Sequence, residues 1–123
     1  MAKIYDLRSF IAALEQAGQL ARIARPVSLT HELADVAATL ARSGGGAALF
    51  EQVAGSAWPI FAGGVANQKR AAIALECQVD QVTEVMGRVL EPANGIPPAR
   101  VAQAGWQANV RTGDEIDIGQ LPI

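Results

Sequence analysis

Leu7, Phe10, Ile11 and Leu14 recur at i, i+3, i+4 and i+7, the spacing that lines one face of an α-helix. Asp6 stands where a carboxylate can accept from backbone N–H groups of the first turn, and Gly18 stands where the chain can turn with φ > 0. After this helix, Leu20-Ala21-Arg22-Ile23 alternates apolar and polar as a half-buried strand does, and Pro26 ends it. A second helix is predicted from about Thr30 to Arg42, with Leu29, Leu33, Val36 and Leu40 on its inner face, Ser28 or Thr30 as its cap and Gly44-Gly45-Gly46 as its stop.

Two strands follow in the pattern. Residues 48–53 form the first and 58–62 the second, joined by the turn Ala54-Gly55-Ser56, and Pro59 places the second at a sheet edge. Asn67 caps a third helix running to about Glu76. Asp80 caps a fourth that ends near Leu90, with Val79, Val82, Met86 and Val89 on its buried side. Residues 91–100, EPANGIPPAR, are turn chemistry, because Pro92, Pro97 and Pro98 bar helix. The tail from Trp106 to Ile123 reads as one or two short strands around a Thr112-Gly113-Asp114 turn. No internal repeat or low-complexity tract interrupts the series. The order of elements gives an α+β fold, a small mixed sheet packed by about four helices in a single domain spanning 1–123.

Composition sharpens this picture. Half of the 123 residues are apolar, yet only three Phe, two Trp and one Tyr are aromatic, so the core rests on close contacts around Leu, Ile, Val and Ala rather than on ring stacks. The net charge is −2 with both signs interspersed, which leaves no basic stripe to neutralise a nucleic-acid backbone. Cys77, the single cysteine, cannot build an internal disulfide framework and fits a reducing compartment. Lys3, Asp6, Arg8 and Glu15 break any signal-peptide apolar stretch, and no window reaches the ~20 apolar residues of a membrane span. A soluble cytoplasmic protein that binds neither nucleic acid nor membrane is expected, and Met1 with its short lead-in has the form of a natural start.

Few residues offer chemistry. Gly44-Gly45-Gly46 follows a helix and opens a strand, the reverse of a phosphate-binding loop, and reads as a helix stop. Gly63-Gly64-Val65-Ala66-Asn67 has the right order, strand then loop then helix, with Lys69 and Arg70 in the first turn, so an anion site is one reading and an ordinary turn the other. His31, beside Glu32 in the first turn of the second helix, lacks the companions of a catalytic or metal-binding histidine and reads as a surface residue. Cys77 reads as a small buried hydrophobe. Glu115 and Asp117, alternating with Ile116 and Ile118, share one face of an expected strand, where they read as a solvated face rather than an acid–base pair. Trp58 and Trp106 either close the small core or form a docking surface.

Four stretches in order and spacing, DLRSFIAALEQAGQLARI at 6–23, GGGAALFEQVAGS at 44–56, GGVANQKRAAIALE at 63–76 and TGDEIDIGQLPI at 112–123, resemble the N-terminal region of the UbiD-type decarboxylases. The chain departs from that pattern where Gly46-Ala47 replaces the usual Gly-Pro, Gln52 the hairpin Asn, and Glu76 the glycine that ends the third helix.

The resemblance implies a multidomain enzyme that interconverts aromatic or α,β-unsaturated acids with their decarboxylated products. It also implies prenylated FMN and a divalent metal (manganese) in the complete enzyme. The catalytic, flavin and metal residues of that family belong to a flavin-binding domain beyond an exit such as Leu121-Pro122-Ile123, so none maps onto this chain. No catalytic, cofactor-binding or metal-ligating residue is assigned here. The expected role is a docking lobe, inactive alone, whose partner is the flavin-binding domain of the same or another polypeptide. A free-standing small subunit of a separate catalytic chain and an unrelated anion-binding module are the alternatives. An exposed interdomain face can also make the isolated lobe a homo-oligomer.

Overall fold

A three-stranded mixed sheet in the order β1-β2-β3 organises the protein, a computed structural model that describes residues 3–122. Helix α1 (Leu7–Gln16) leads into β1 (Leu20–Ile23), α2 (Glu32–Arg42) crosses to β2 (Ala47–Phe50), and β3 (Ile60–Ala62) turns back. Then come α3 (Gln68–Ala74), a 3-10 turn at Val79–Gln81 and α4 (Val82–Val89). Strands β1 and β2 run parallel, with Ile23 opposite Phe50, and β3 pairs antiparallel to β2, with Ile60 opposite Phe50. The expected α+β architecture is the one observed. Met1 and Ile123, on which a natural start and the end of the exit motif were read, lie outside the described residues.

Because strand side chains alternate, the sheet has two working faces. On one, Val27, Ala48, Phe50 and Val53 form the core against Leu33, Val36, Ala37 and Leu40 of α2. On the other, Arg22 and Phe61, the register neighbours of Leu49, meet Glu15 and Phe10 of α1. Burial on both faces explains why Ala47-Ala48-Leu49-Phe50 is a continuous apolar run. Four of the eight buried apolar residues are alanine (Ala13, Ala47, Ala48, Ala72), the close-contact core that the composition suggests.

The α1 boundaries follow from its caps. Asp6 accepts the Ser9 N–H at 2.7 Å. Gly18 takes φ +64°, while the N–H groups of Gly18 and Gln19 donate back to the carbonyls of Glu15 and Leu14. Only a residue without Cβ adopts that turn cheaply. Within the helix Leu14 is fully buried and Phe10 and Ile11 are half-buried, but Leu7, expected on the same inner face, is 57% exposed.

Other expectations are corrected. Neither Ser28 nor Thr30 caps α2. Ser28 Oγ accepts the Thr30 N–H, His31 becomes the N-cap at φ +66° without a side-chain bond, and the Glu32 carboxylate reaches back to accept the Ser28 N–H at 2.8 Å. Leu29 is exposed rather than inward. The strands expected at 48–53 and 58–62 are shorter, one ending at Phe50 and the other beginning at Ile60, while Val53 makes isolated bridges, parallel to Val27 and antiparallel to Ser56 across the turn. Pro59 precedes an edge strand, as read.

Asp80 lies inside the 3-10 turn instead of capping α4. Val79, Met86 and Val89 are exposed and only Val82 of that stripe is half-buried, since α4 packs on α3 and the 3-10 turn, not on the sheet. The tail holds no strand among the described residues. Residues 105–108, 113–115 and 118–120 are 3-10 turns.

Candidate functional site

The structure separates the residues that an anion site needs. Asn67 caps α3 by accepting the Arg70 N–H at 2.9 Å, which uses the first-turn donor itself. The Arg70 side chain turns inward, is 2% exposed and donates through Nη1 to the Gly45 carbonyl at 2.7 Å. Lys69 stays at the surface. The two glycine segments singled out in the sequence are thus tied together by Arg70, with a carbonyl rather than N–H groups presented to it. The anion-module alternative loses one of its two cations.

Arg70, named in the sequence with Lys69 for an anion site, is instead buried, which sequence reasoning did not foresee. Its Nε has no partner, and the guanidinium forms no ion pair among the described residues. Next to Lys69 it looks like half of an exposed basic pair. The overlooked signal is its place directly after the Asn67 capping turn, two residues before the buried Ala72.

The remaining titratable candidates stay apart. His31 is exposed at the N-cap of α2. Cys77 is half-buried and borders a groove of about 270 Å³ with Lys69, Ala72, Glu76 and Val79. Glu115 closes a 3-10 turn, while Asp117 caps the next by accepting the Gly119 N–H at 2.9 Å, so the two carboxylates do not share a strand face. Among the described residues no group of three or more His, Cys, Asp or Glu converges to hold a metal ion. Prenylated FMN and its metal need a phosphate cradle and such a donor set, and the residues present do not fit them.

Ion pairs instead brace the lobe. Arg22 on β1 meets Glu15 of α1 at 2.6 Å and Glu51 at 2.7 Å. The hydrogen bond from Arg22 holds the Glu15 carboxyl below its ordinary value, and the two glutamates raise Arg22 further. Glu32 is lowered by the Ser28 N–H and then by Arg25, and Asp6 by the Ser9 N–H. These groups are solvent-exposed and act locally.

Neither tryptophan closes the core. Trp58 is 55% exposed and Trp106 80% exposed. Trp58 lines an open cleft of about 600 Å³ with Asn109, Arg111, Ile116, Asp117, Ile118, Gln120 and Leu121. Among the described residues every buried one lies between Ala13 and Ala72, whereas Val79, Met86, Val89, Leu90, Ile96, Val101, Trp106, Val110, Ile116, Ile118 and Leu121 remain exposed. Chemically, this arrangement offers an exposed apolar surface. Among the described residues no helix is long and apolar enough to cross a membrane. Compared with known families, residues 11–90 match the model of the 3-octaprenyl-4-hydroxybenzoate carboxy-lyase N-terminal domain.

Proposed function

Since the chain belongs to the UbiD N-terminal domain family of carboxy-lyases, we propose that it is the docking lobe of a cytoplasmic decarboxylase acting on aromatic or α,β-unsaturated carboxylic acids. The reaction itself runs on a flavin-binding domain, of the same or a partner polypeptide, that holds prenylated FMN and a divalent metal. That cofactor supplies the electron sink for loss of CO2. The lobe contributes position by packing against the catalytic domain, in a contact of the ~600–1,500 Å² usual between domains.

The observation that carries this reading is the division of the molecule. Its sheet and core are complete in residues 13–72, while an apolar surface from Val79 to Leu121 covers nothing. A lobe built to pack on a neighbour has that form.

The test is to mix the chain with prenylated FMN and Mn²⁺ and follow flavin absorbance through size-exclusion chromatography. The flavin is expected to elute apart from the protein, with no CO2 released from a cinnamate-type acid. Stoichiometric co-elution together with CO2 release would overturn the proposal that the chain is inactive alone.

A further inference from the structure

We propose that Asn94-Gly95 is a self-modification site, a slow chemical switch in which loss of the Asn94 amide uncouples the following chain from α4. The sequence carries three asparagines, Asn67, Asn94 and Asn109, and only Asn94 precedes a glycine. Asn94 and Gly95 are both exposed, at the end of the 3-10 turn Pro92–Asn94 that follows α4. The Gly95 N–H donates to the Pro92 carbonyl at 3.3 Å, a bond longer than the usual ~2.7–3.2 Å, so this nitrogen is readily released. No Cβ shields it on the way to the Asn94 side chain. Gly95 lies at φ −60° and ψ 127°, backbone that any residue adopts, and a Cβ there would come no closer than 3.4 Å to atoms beyond its chain neighbours. The fold therefore does not require a glycine at this position, whereas the reaction does. The other two asparagines are protected. Asn67 Oδ1 accepts the Arg70 N–H at 2.9 Å as the cap of α3, and Asn109 precedes the β-branched Val110.

The step needs water and no other reagent. The Gly95 nitrogen gives up its proton and attacks Cγ of Asn94. An N–Cγ bond forms as the Cγ–Nδ2 bond breaks, and the amide leaves as ammonia with that proton. Water then opens the cyclic imide. Opening at the main-chain carbonyl leaves isoaspartate, with the chain continuing through the side chain, and opening at Cγ leaves aspartate. Nothing is oxidised or reduced. The consequence is structural, because Asn94 Nδ2 donates to the Arg88 carbonyl at 2.7 Å, at the C-terminal end of α4, and reaches Glu91 Oε2 at 3.4 Å. A carboxylate has no hydrogen to donate. It also sets a second negative charge beside Glu91, at the negative end of the helix dipole. The bond that ties the turn to α4 becomes a repulsion, and the last turn of the helix frays.

The test ages the 123-residue chain in mildly alkaline buffer, in parallel with Gly95→Ala. Peptide mass mapping and an isoaspartate-specific methylation assay follow the products. The wild type is expected to gain an acidic form that maps to Asn94 as mixed aspartate and isoaspartate, while Asn67 and Asn109 stay intact. Gly95→Ala, with circular dichroism matching the wild type, should convert about tenfold more slowly or less. Hydrogen exchange then compares fresh protein, aged protein and Asn94→Asp. Amides of residues 86–95 should exchange about threefold faster or more in the last two, with the sheet unchanged. An intact Asn94, or equal conversion in Gly95→Ala, overturns the site. Conversion at Asn94 with unaltered exchange in α4 overturns the switch.

Discussion

Arg70 donates through Nη1 to the Gly45 carbonyl at 2.7 Å, clasping the first turn of α3 to the loop that ends α2. The Gly45 N–H in turn donates to the Leu40 carbonyl, so the guanidinium sits at the negative end of the α2 dipole. That placement favours the charge, although a buried and unpaired Nε works against it. Arg70→Ala removes both the stem and the bond and should cost about 2–4 kcal/mol in urea denaturation. Arg70→Met keeps most of the stem and also relieves the buried charge, so a loss of about 1 kcal/mol or less is expected. Equal losses in the two variants would place the effect in the hydrogen bond instead of the packing.

Glu76 occupies the left-handed turn after α3 at φ +53°, where the Glu76 and Cys77 N–H groups donate to the carbonyls of Ile73 and Ala72. This is a glycine position filled by a residue with a Cβ, and such a conformation costs about 1 kcal/mol. Glu76 recovers part of it by accepting the Ile4 N–H at 2.8 Å, in an exposed setting. Glu76→Gly should raise stability by about 0.5–1 kcal/mol. Glu76→Ala keeps the strain but loses the bond, and should melt below the wild type in the same calorimetric scan.

Phe10 and Phe61 meet edge to face, with centroids 6.2 Å apart and planes at 83°. A Cβ on Gly64 would lie 2.7 Å from the Phe61 ring and 3.0 Å from Phe10, so the two rings close over a bare backbone. Phe10→Ala opens this half-buried pair and should cost about 3 kcal/mol, the low end for aromatic truncations. Gly64→Ala forces the rings apart and should cost about 1–3 kcal/mol. An unchanged melting temperature for both would mean that the α1 face of the sheet contributes little.

Acid should weaken the fold through three exposed carboxylates. Asp6, Glu15 and Glu32 are held below ordinary values of 3.8, 4.5 and 4.5 by the Ser9 N–H, by Arg22 and by the Ser28 N–H respectively. A folded value below the unfolded one means their contribution is complete above those ordinary values and is lost as the pH falls through the lowered folded ones. Thermal stability should hold between pH 7 and about 5 and decline below about 4. Glu15→Gln and Glu32→Gln should flatten that decline, which a pH series of melting curves would show.

Trp58→Ala should leave the melting temperature within the ~0.5 kcal/mol of an ordinary surface change, because the side chain covers little of the core. A large loss would mean that the indole stabilises the lobe itself rather than a contact with a neighbour.

What could be read from the sequence was local. The caps at Asp6, Gly18 and Asn67 depend on bonds made within a turn, and they appear where the pattern places them. The Val82, Met86 and Val89 stripe is equally regular, but periodicity reports an apolar face without reporting what covers it, and most of that stripe is exposed. The alternation of Glu115 to Ile118 failed for a related reason, since a strand needs an edge to pair with. Val53 bridges Val27, far away in sequence, as well as Ser56, and Arg70 reaches the distant Gly45 carbonyl. The candidate surface was legible only as the unresolved choice between core and docking for Trp58 and Trp106. The structure removes the first option.

Confinement of the buried side chains to residues 13–72 has a calorimetric consequence. Heat uptake on melting scales with the surface that unfolding newly wets, so the last fifty residues, at most half-buried, give less than a proportional share in a thermogram of the lobe alone. If the lobe docks as proposed, the same residues would be covered in the assembled enzyme. Their share of the unfolding enthalpy would then belong to the complex, and the excess over the separated parts would measure how much of this polypeptide waits for its neighbour.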